Sequence, residues 1–497
     1  MNKRRSLYNI IVGIGSQILS IILGILIPRL LLVNFGSEMN GFLNSIGQVF
    51  AYFALLEAGV GAATLQALYG PVGKNDRKSI AGIMAATDNY YRRTGKFYLL
   101  VVIALSILYP IVVDTEISNA TMVIIILING IPGVINYYVQ GKYILLLQAE
   151  GKNYINTALT SIGSTLISIA KIALLLAGYD IVVIQLTYFV INLIKTLVLY
   201  IYVKKSYQWL ELKCEPDYDS IAQKNAAFIN QICDLIFRNT DTIILTVFCD
   251  LKVVSVYAMY TLLFSMIRTA LDYVSQGFSF IMGQTYNQDI EKYIRLHDLY
   301  ETYRMALIYA LYNIALVFII PFMKLYTSGV NDINYLDYRV AVLFVIFYLM
   351  TGVRACSSDL INYAQHFKLT QNRCILEAII NLTVSIIAVN FWGIYGVLVG
   401  TIVALLYRAN DMILYANNRI LNRSAWITYK KIISNTIIFV LITLGISKIP
   451  WVLESYVTIV EWACICGVIV VLIYFAVGTL IDKESFKLLK KIFLNEG

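Results

Sequence analysis

Residues 1–33 read MNKRRSLYNIIVGIGSQILSIILGILIPRLLLV: the three cations Lys3, Arg4 and Arg5, then an apolar run over 8–33. A basic start ahead of an apolar stretch also marks a secretory signal. This run is too long for one, lacks a small-residue exit and leads straight into a second run, 41–68. A helix crossing a bilayer needs about 20 apolar residues, so 8–33 reads as a first membrane helix. Six such runs reach Val203. After a polar break six more lie between Ala226 and Tyr415, and 432–449 and 456–480 complete fourteen.

The composition agrees. Of 497 residues 59% are apolar and 14% charged, with a mean hydropathy of +0.72, where soluble chains carry ~25% charge. A soluble fold is excluded. Seven Pro and 29 Gly exclude a collagenous or disordered chain, and the runs are too long for barrel strands of about ten residues. The seven cysteines show neither a disulfide framework nor metal-ligand spacing.

The +9 net charge is explained by its distribution. With the N-terminus inside, the outer turns hold only Lys252, Lys324, Arg339 and Lys448. The inner segments hold the loop cations, from Lys74, Arg77 and Lys78 through Lys430, Lys431 and the tail lysines 483, 487, 490 and 491. A missed or invented helix would scramble this asymmetry from that point onward. It persists to the end, which predicts fourteen helices with both termini cytoplasmic. The outer turns are too short to fold. Segment 287–304 and the tail from Phe486 to Phe493 mix charge with apolar residues and read as helices on the membrane surface.

Two hairpins, 8–68 and 226–282, each end in a polar link, 70–79 and 283–292, offset by about 213 residues. An offset spanning an even number of helices makes the halves parallel, a common transporter plan. The expected organisation is an N-lobe over 1–203, a cytoplasmic linker over 204–225, a C-lobe over 226–415, a helix pair over 416–482 and a basic tail over 483–497. The fold class is all-α integral membrane protein, about fourteen helices in two six-helix bundles plus a C-terminal pair.

Charge inside a membrane helix costs at least ~2.5–3.5 kcal/mol at the centre and asks for a reason. Helix 1 carries Arg29 after Pro28, and helix 2 carries Glu57. Helices 5 and 6 carry Lys171 and Lys195. Asp234, Arg238 and Asp241 share one face of helix 7, and Arg268 and Asp272 sit at i, i+4 on helix 8. Arg354, Asp359, Glu377, Arg408 and Asp411 follow on helices 10 to 12. The acidic residues at in-helix spacing can neutralise their neighbours. Arg29, Arg354, Lys171 and Lys195 have no acidic residue three or four positions away. They point to a cationic, water-filled cavity, with Arg238 and Arg268 near mid-membrane. Asn230, Gln231, Asn239 and Thr240 make helix 7 too polar to face lipid all round. His297 and His366 fall near cytoplasmic ends and read as interfacial. No phosphate-binding glycine loop, Ser/His/Asp set or metal cluster is present, so neither an enzyme nor a cofactor is expected.

The opening hairpin, with Ile27-Pro28-Arg29-Leu30 and then Asn34-Phe35-Gly36-Ser37-Glu38-Met39-Asn40-Gly41-Phe42, the Glu57-Ala58-Gly59 of helix 2 and the Asn239-Thr240-Asp241-Thr242-Ile243-Ile244 of helix 7 resemble the Wzx-type oligosaccharide flippases. These are the polysaccharide-biosynthesis export family of the multidrug/oligosaccharidyl-lipid/polysaccharide (MOP) exporter superfamily. The layout of the whole chain resembles it too. That resemblance implies a MATE-like fold in a bacterial cytoplasmic membrane. It also implies outward translocation of an undecaprenyl-diphosphate-linked oligosaccharide by alternating access, for O-antigen, capsule or exopolysaccharide synthesis. Under it Arg29, Arg238, Arg268, Arg354, Lys171 and Lys195 bind substrate. The charge reading, rather than a family motif, makes Glu57, Asp234, Asp241 and Asp272 the candidates to couple H+ or Na+. The partners are the bilayer and other polysaccharide-assembly proteins, with no nucleic acid. Alternatives are a lipid II flippase, a multidrug cation antiporter of the same superfamily, and a membrane glycan polymerase. A cation exporter should favour acidic cavity residues, and a polymerase usually carries a large outer loop.

Overall fold

The computed structural model describes residues 3–53, 55–221, 226–449, 451 and 453–494, and among them it is helical throughout, with no strand. Twelve helices there are long and apolar enough to cross a membrane. The chain is a multi-pass membrane protein. Fourteen were expected. One of the twelve spans joins two of them, and Ala226–Phe248, with three charged residues in its 23, falls outside the twelve.

The chain divides into two compact units, Met1–Ser255 and Val256–Gly497. The division comes after the helix 226–248 rather than within 204–225. In the first unit, α1 (Lys3–Phe53) is broken at Gly36, whose φ of 77° is a left-handed backbone value that glycine adopts without a Cβ clash. The break falls in the expected outer turn. There the Glu38 carboxylate accepts from Thr115 Oγ1 at 3.0 Å and the Glu116 N–H at 3.1 Å. α2 (Leu55–Gly73) leads to α3 (Arg77–Val112), which is capped by Asp76. Ser79 donates to the Asp76 carboxylate from both Oγ and N–H, and these bonds hold the acid below its ordinary range. At 36 residues α3 rises about 54 Å, so it continues far beyond the apolar run at 97–113.

α4 (Asn119–Ile135) passes through a π-helical turn, Asn136–Gln140, into α5 (Gly141–Ala149). α6 (Asn153–Leu176) and α7 (Ile181–Ser206) follow. The α5–α6 turn is fastened to the end of α7. Lys152 Nζ and the Tyr207 hydroxyl both donate to Glu150 Oε2, at 2.8 and 2.5 Å. Burial, then the bond to Glu150, pushes the Tyr207 phenol up to about 12. α8 (Ala226–Phe248) packs along α1 through Tyr52 to Thr240 (2.7 Å) and Thr246 to Ser45 (2.8 Å), which places it in the first unit. α9 (Leu251–Gln288) begins here, and Asn40 reaches Ser255 at 2.6 Å.

In the second unit α10 (Ile290–Tyr326) is one continuous helix. The surface helix expected over 287–304 is instead its first turns, and His297, Glu301 and Arg304 are buried. α11 (Tyr338–Val353) and α12 (Ala355–Tyr363) meet at Arg354. α13 (Phe367–Trp392) and α14 (Ile394–Tyr415) form a tight hairpin. A Cβ at Gly396 or Gly400 would lie 2.2 Å from the Ala388 carbonyl oxygen or from Ser385 Oγ, so this Gly-x-x-x-Gly stripe sets the interhelical distance. α15 (Trp426–Ile446), α16 (Tyr456–Ile481) and α17 (Lys483–Leu494) close the chain. Tyr91, Tyr260, Tyr293, Tyr312, Tyr326 and Tyr474 are fully buried core residues.

Candidate functional site

The intramembrane charges gather in separate sets, two of which contain predicted site residues. In the first unit, Lys171 on α6 places its ammonium 5.2 Å from the centre of the Tyr188 ring on α7. Tyr188 also lines a cavity of about 200 Å³ with Asn136, Gln140, Asn192, Lys195 and Thr196. Neither lysine forms an ion pair among the described residues. Tyr188 thus touches Lys171 through its ring and shares a cavity lining with Lys195, whose other lining includes amides and a hydroxyl able to bond a polar ligand.

In the second unit Arg354 differs from its expectation as an unpaired cation. Its guanidinium pairs with the Glu377 carboxylate, 23 positions on. Glu377 also meets Arg408 at 3.3 Å, Arg408 meets Asp411 at 2.8 Å, and Asp411 meets Arg373 at 2.6 Å. The result is a chain of three arginines and two carboxylates across α11 to α14. The close α13–α14 approach permits it, because Glu377 and Arg408 stand on facing helices. Among the described residues the set counts three cations to two acids.

The remaining predicted residues are dispersed. Arg29 is half-buried on α1 and Arg238 is exposed on α8. Arg268 meets Asp272 at 3.6 Å, the in-helix pair that the spacing allowed. Asp241 is buried. The side chains of Glu57 and Asp234 lie outside the described residues.

Sequence reading missed a third set. Lys431, assigned to a loop, sits on α15 with 3% of its surface exposed and meets Glu301 at 3.0 Å, Asp298 at 3.4 Å and Asp482 at 3.7 Å. Arg423 Nη1 donates to both Asp298 oxygens at 2.7 Å. His297, Asp298 and Glu301 place their ligand atoms within 4.8 Å of one another, close enough for a metal. Arg423 and Lys431 already neutralise those carboxylates, so the set fits an internal staple better than a metal centre. A neighbouring pair, Arg304 and Asp359 at 2.9 Å, ties α10 to α12.

No protein-family model and no curated protein matches the sequence. Solved structures do match. The lipid II flippase MurJ in an inward closed conformation aligns with a TM-score of 0.65 at 12% identity, over 94% of this chain and 99% of that one. An inward-facing multidrug-resistance MATE family transporter of the MOP superfamily aligns at 0.61 and 14%, over 80% and 93%. A MATE structure in a bent conformation aligns at 0.52 and 13%, over 84% and 95%. The chain has the fold of the MOP-superfamily transporters.

Proposed function

We propose that the chain is a flippase that carries an undecaprenyl-diphosphate-linked oligosaccharide from the inner to the outer leaflet by alternating access, serving cell-surface polysaccharide synthesis. The observation that carries this reading is the sign of the intramembrane charge. Lys171 stands over the Tyr188 ring and Lys195 lines a polar cavity, neither with a carboxylate partner among the described residues, and the α11–α14 set there holds three arginines against two acids. A site that exports cations needs the opposite surplus. A diphosphate needs cationic hydrogen-bond donors, and lysine and arginine supply them.

The physics of the cargo supports the same reading. Each sugar hydroxyl buried unsatisfied in hydrocarbon costs several kcal/mol, so unassisted flipping is negligible. An inside-negative potential drives an anion outward by about 2.3 kcal/mol per charge per 100 mV. A counter-moving H+ or Na+ adds to this, with Glu57, Asp234, Asp241 and Asp272 as the candidate carboxylates to carry it. Transport of this kind makes and breaks no covalent bond. The likeness to a lipid II flippase favours lipid II as the second candidate cargo, since it joins a glycan to the same diphosphate chemistry.

Mass spectrometry of lipid-linked glycans in a deletion strain, with surface polysaccharide assayed in parallel, tests the proposal. Accumulated diphosphate-linked oligosaccharide with loss of the surface polymer is expected. Unchanged pools with new toxicant sensitivity would replace it with drug export.

A further inference from the structure

The first unit holds a second cavity, of about 600 Å³, in a groove where α7 runs beside α4, the π-turn and α5. It shares Ile135, Leu193 and Thr196 with the smaller cavity around Lys195, so the two adjoin. The five-residue π-turn supplies both, Asn136 and Gln140 to the smaller and Tyr138 and Val139 to the larger. A π-turn is rare and recurs at functional sites.

The larger cavity is divided by chemistry. Its apolar lining is Ile135, Val139, Leu193, Leu197 and Leu212. Its other lining carries three cations, Arg92, Lys142 and Lys204, set among Tyr138, Tyr143 and Tyr200. Asp88 is the acid bound to this group: it pairs with Lys142 and, at 2.8 Å, with Arg92. Lys204 lies 5.6 Å from the centre of the Tyr200 ring and is exposed. Three cations against one carboxylate leave two positive charges beside an apolar slot.

We infer that this groove holds a resident anionic phospholipid of the bilayer, its phosphate among Lys204, Arg92 and Lys142 and its acyl chain along Leu193 and Leu197. Charge complementarity is the ground: basic pockets between membrane helices capture phosphate head groups, and the apolar lining selects a lipid over a free ion. The volume suits a head group and the start of a chain, within the ~300–1,000 Å³ of ligand sites. The inference concerns a lipid of the bilayer and does not depend on the proposed flippase activity.

Native mass spectrometry of the full chain released from nanodiscs of mixed phosphatidylglycerol and phosphatidylcholine tests it. The wild type is expected to retain phosphatidylglycerol preferentially. Lys204→Glu should lower that retention at least about fivefold by reversing a charge at the head group, and Leu197→Glu should do the same from the apolar lining. Lys204→Gln, which adds no repulsion, should give an intermediate loss and covers the case in which a reversed charge prevents folding. Equal retention of the two lipids by the wild type, or unchanged retention in folded Lys204→Gln and Leu197→Glu, would overturn the inference. So would inorganic phosphate in detergent raising the Tm as much as phosphatidylglycerol does, because a free anion would then suffice.

Discussion

Lys431 donates from Nζ to the Glu301 carboxylate at 3.0 Å, and both side chains are almost wholly buried. Around this pair Thr428 donates to Glu301 at 2.9 Å, Thr302 to Asp482 at 3.1 Å and Arg423 to Asp298. α15 and the α16–α17 junction are thereby fixed to the first turns of α10. Removing one member of a buried pair strands the other, at about 3–5 kcal/mol. Lys431→Met is expected to destabilise the protein by that order, read as a clearly lower Tm in detergent. Lys487→Met, which breaks an exposed pair with Glu484, should leave it nearly unchanged.

The same staple carries a pH dependence. Burial alone would raise the Asp482 carboxyl. Bonds from Ser485, then the nearby Lys431 and a bond from Thr302, outweigh it and hold the group below its ordinary value of 3.8. A depressed carboxylate contributes stability that is fully present above the unfolded value and is lost as pH falls below it. Thermal unfolding followed downward from about pH 5 should show a loss that steepens below 3.8, and Asp482→Asn should flatten it.

Within the α11–α14 chain the two carboxylates are not equivalent. Glu377 is 6% exposed and Asp411 15%, and Asp411's outer partner Arg373 is 38% exposed. Glu377→Gln leaves Arg354 and Arg408 facing each other in a drier place. It should lower the Tm more than Asp411→Asn, measured side by side in the same detergent.

The α13–α14 hairpin depends on its glycines. At Gly396 the clash is with the backbone carbonyl of Ala388, which cannot rotate away. Gly396→Val should push the helices apart and break the Glu377–Arg408 contact. Lower yield of monodisperse protein on size exclusion is the expected result.

Much of this arrangement was legible in the sequence because membrane helices announce themselves by length and charge asymmetry. The break at Gly36, the polar helix around Arg238 and the in-helix pair Arg268–Asp272 follow from local spacing. Arg354 shows where local spacing stops. Its partner Glu377 is on another helix, and only the Gly396–Gly400 approach of α14 to α13 assembles the network they share. Lys431 was read as a loop cation, since a basic residue at a helix end ordinarily anchors to the interface; three acids from elsewhere in the second unit hold it inside. The π-turn at Asn136–Gln140 leaves no sequence mark, yet it shapes both cavities of the first unit.

Lys195 is the proposed site residue whose loss should separate transport from stability. It lines a polar cavity with no carboxylate bound to it among the described residues, so Lys195→Gln leaves no partner stranded. Surface polysaccharide should fall severalfold at unchanged protein level, with lipid-linked intermediates rising in step.

The most direct test is leaflet exchange by the purified protein. Liposomes carrying a polyprenyl-diphosphate oligosaccharide in both leaflets are exposed to an external glycosidase. Without the protein, cleavage stops at about half, because unassisted flipping of the sugar is negligible. With the protein, the account predicts cleavage to near completion, and slower approach to it with Lys195→Gln. Cleavage that halts at half with correctly folded protein, under an imposed potential and under H+ or Na+ gradients, would contradict the central claim.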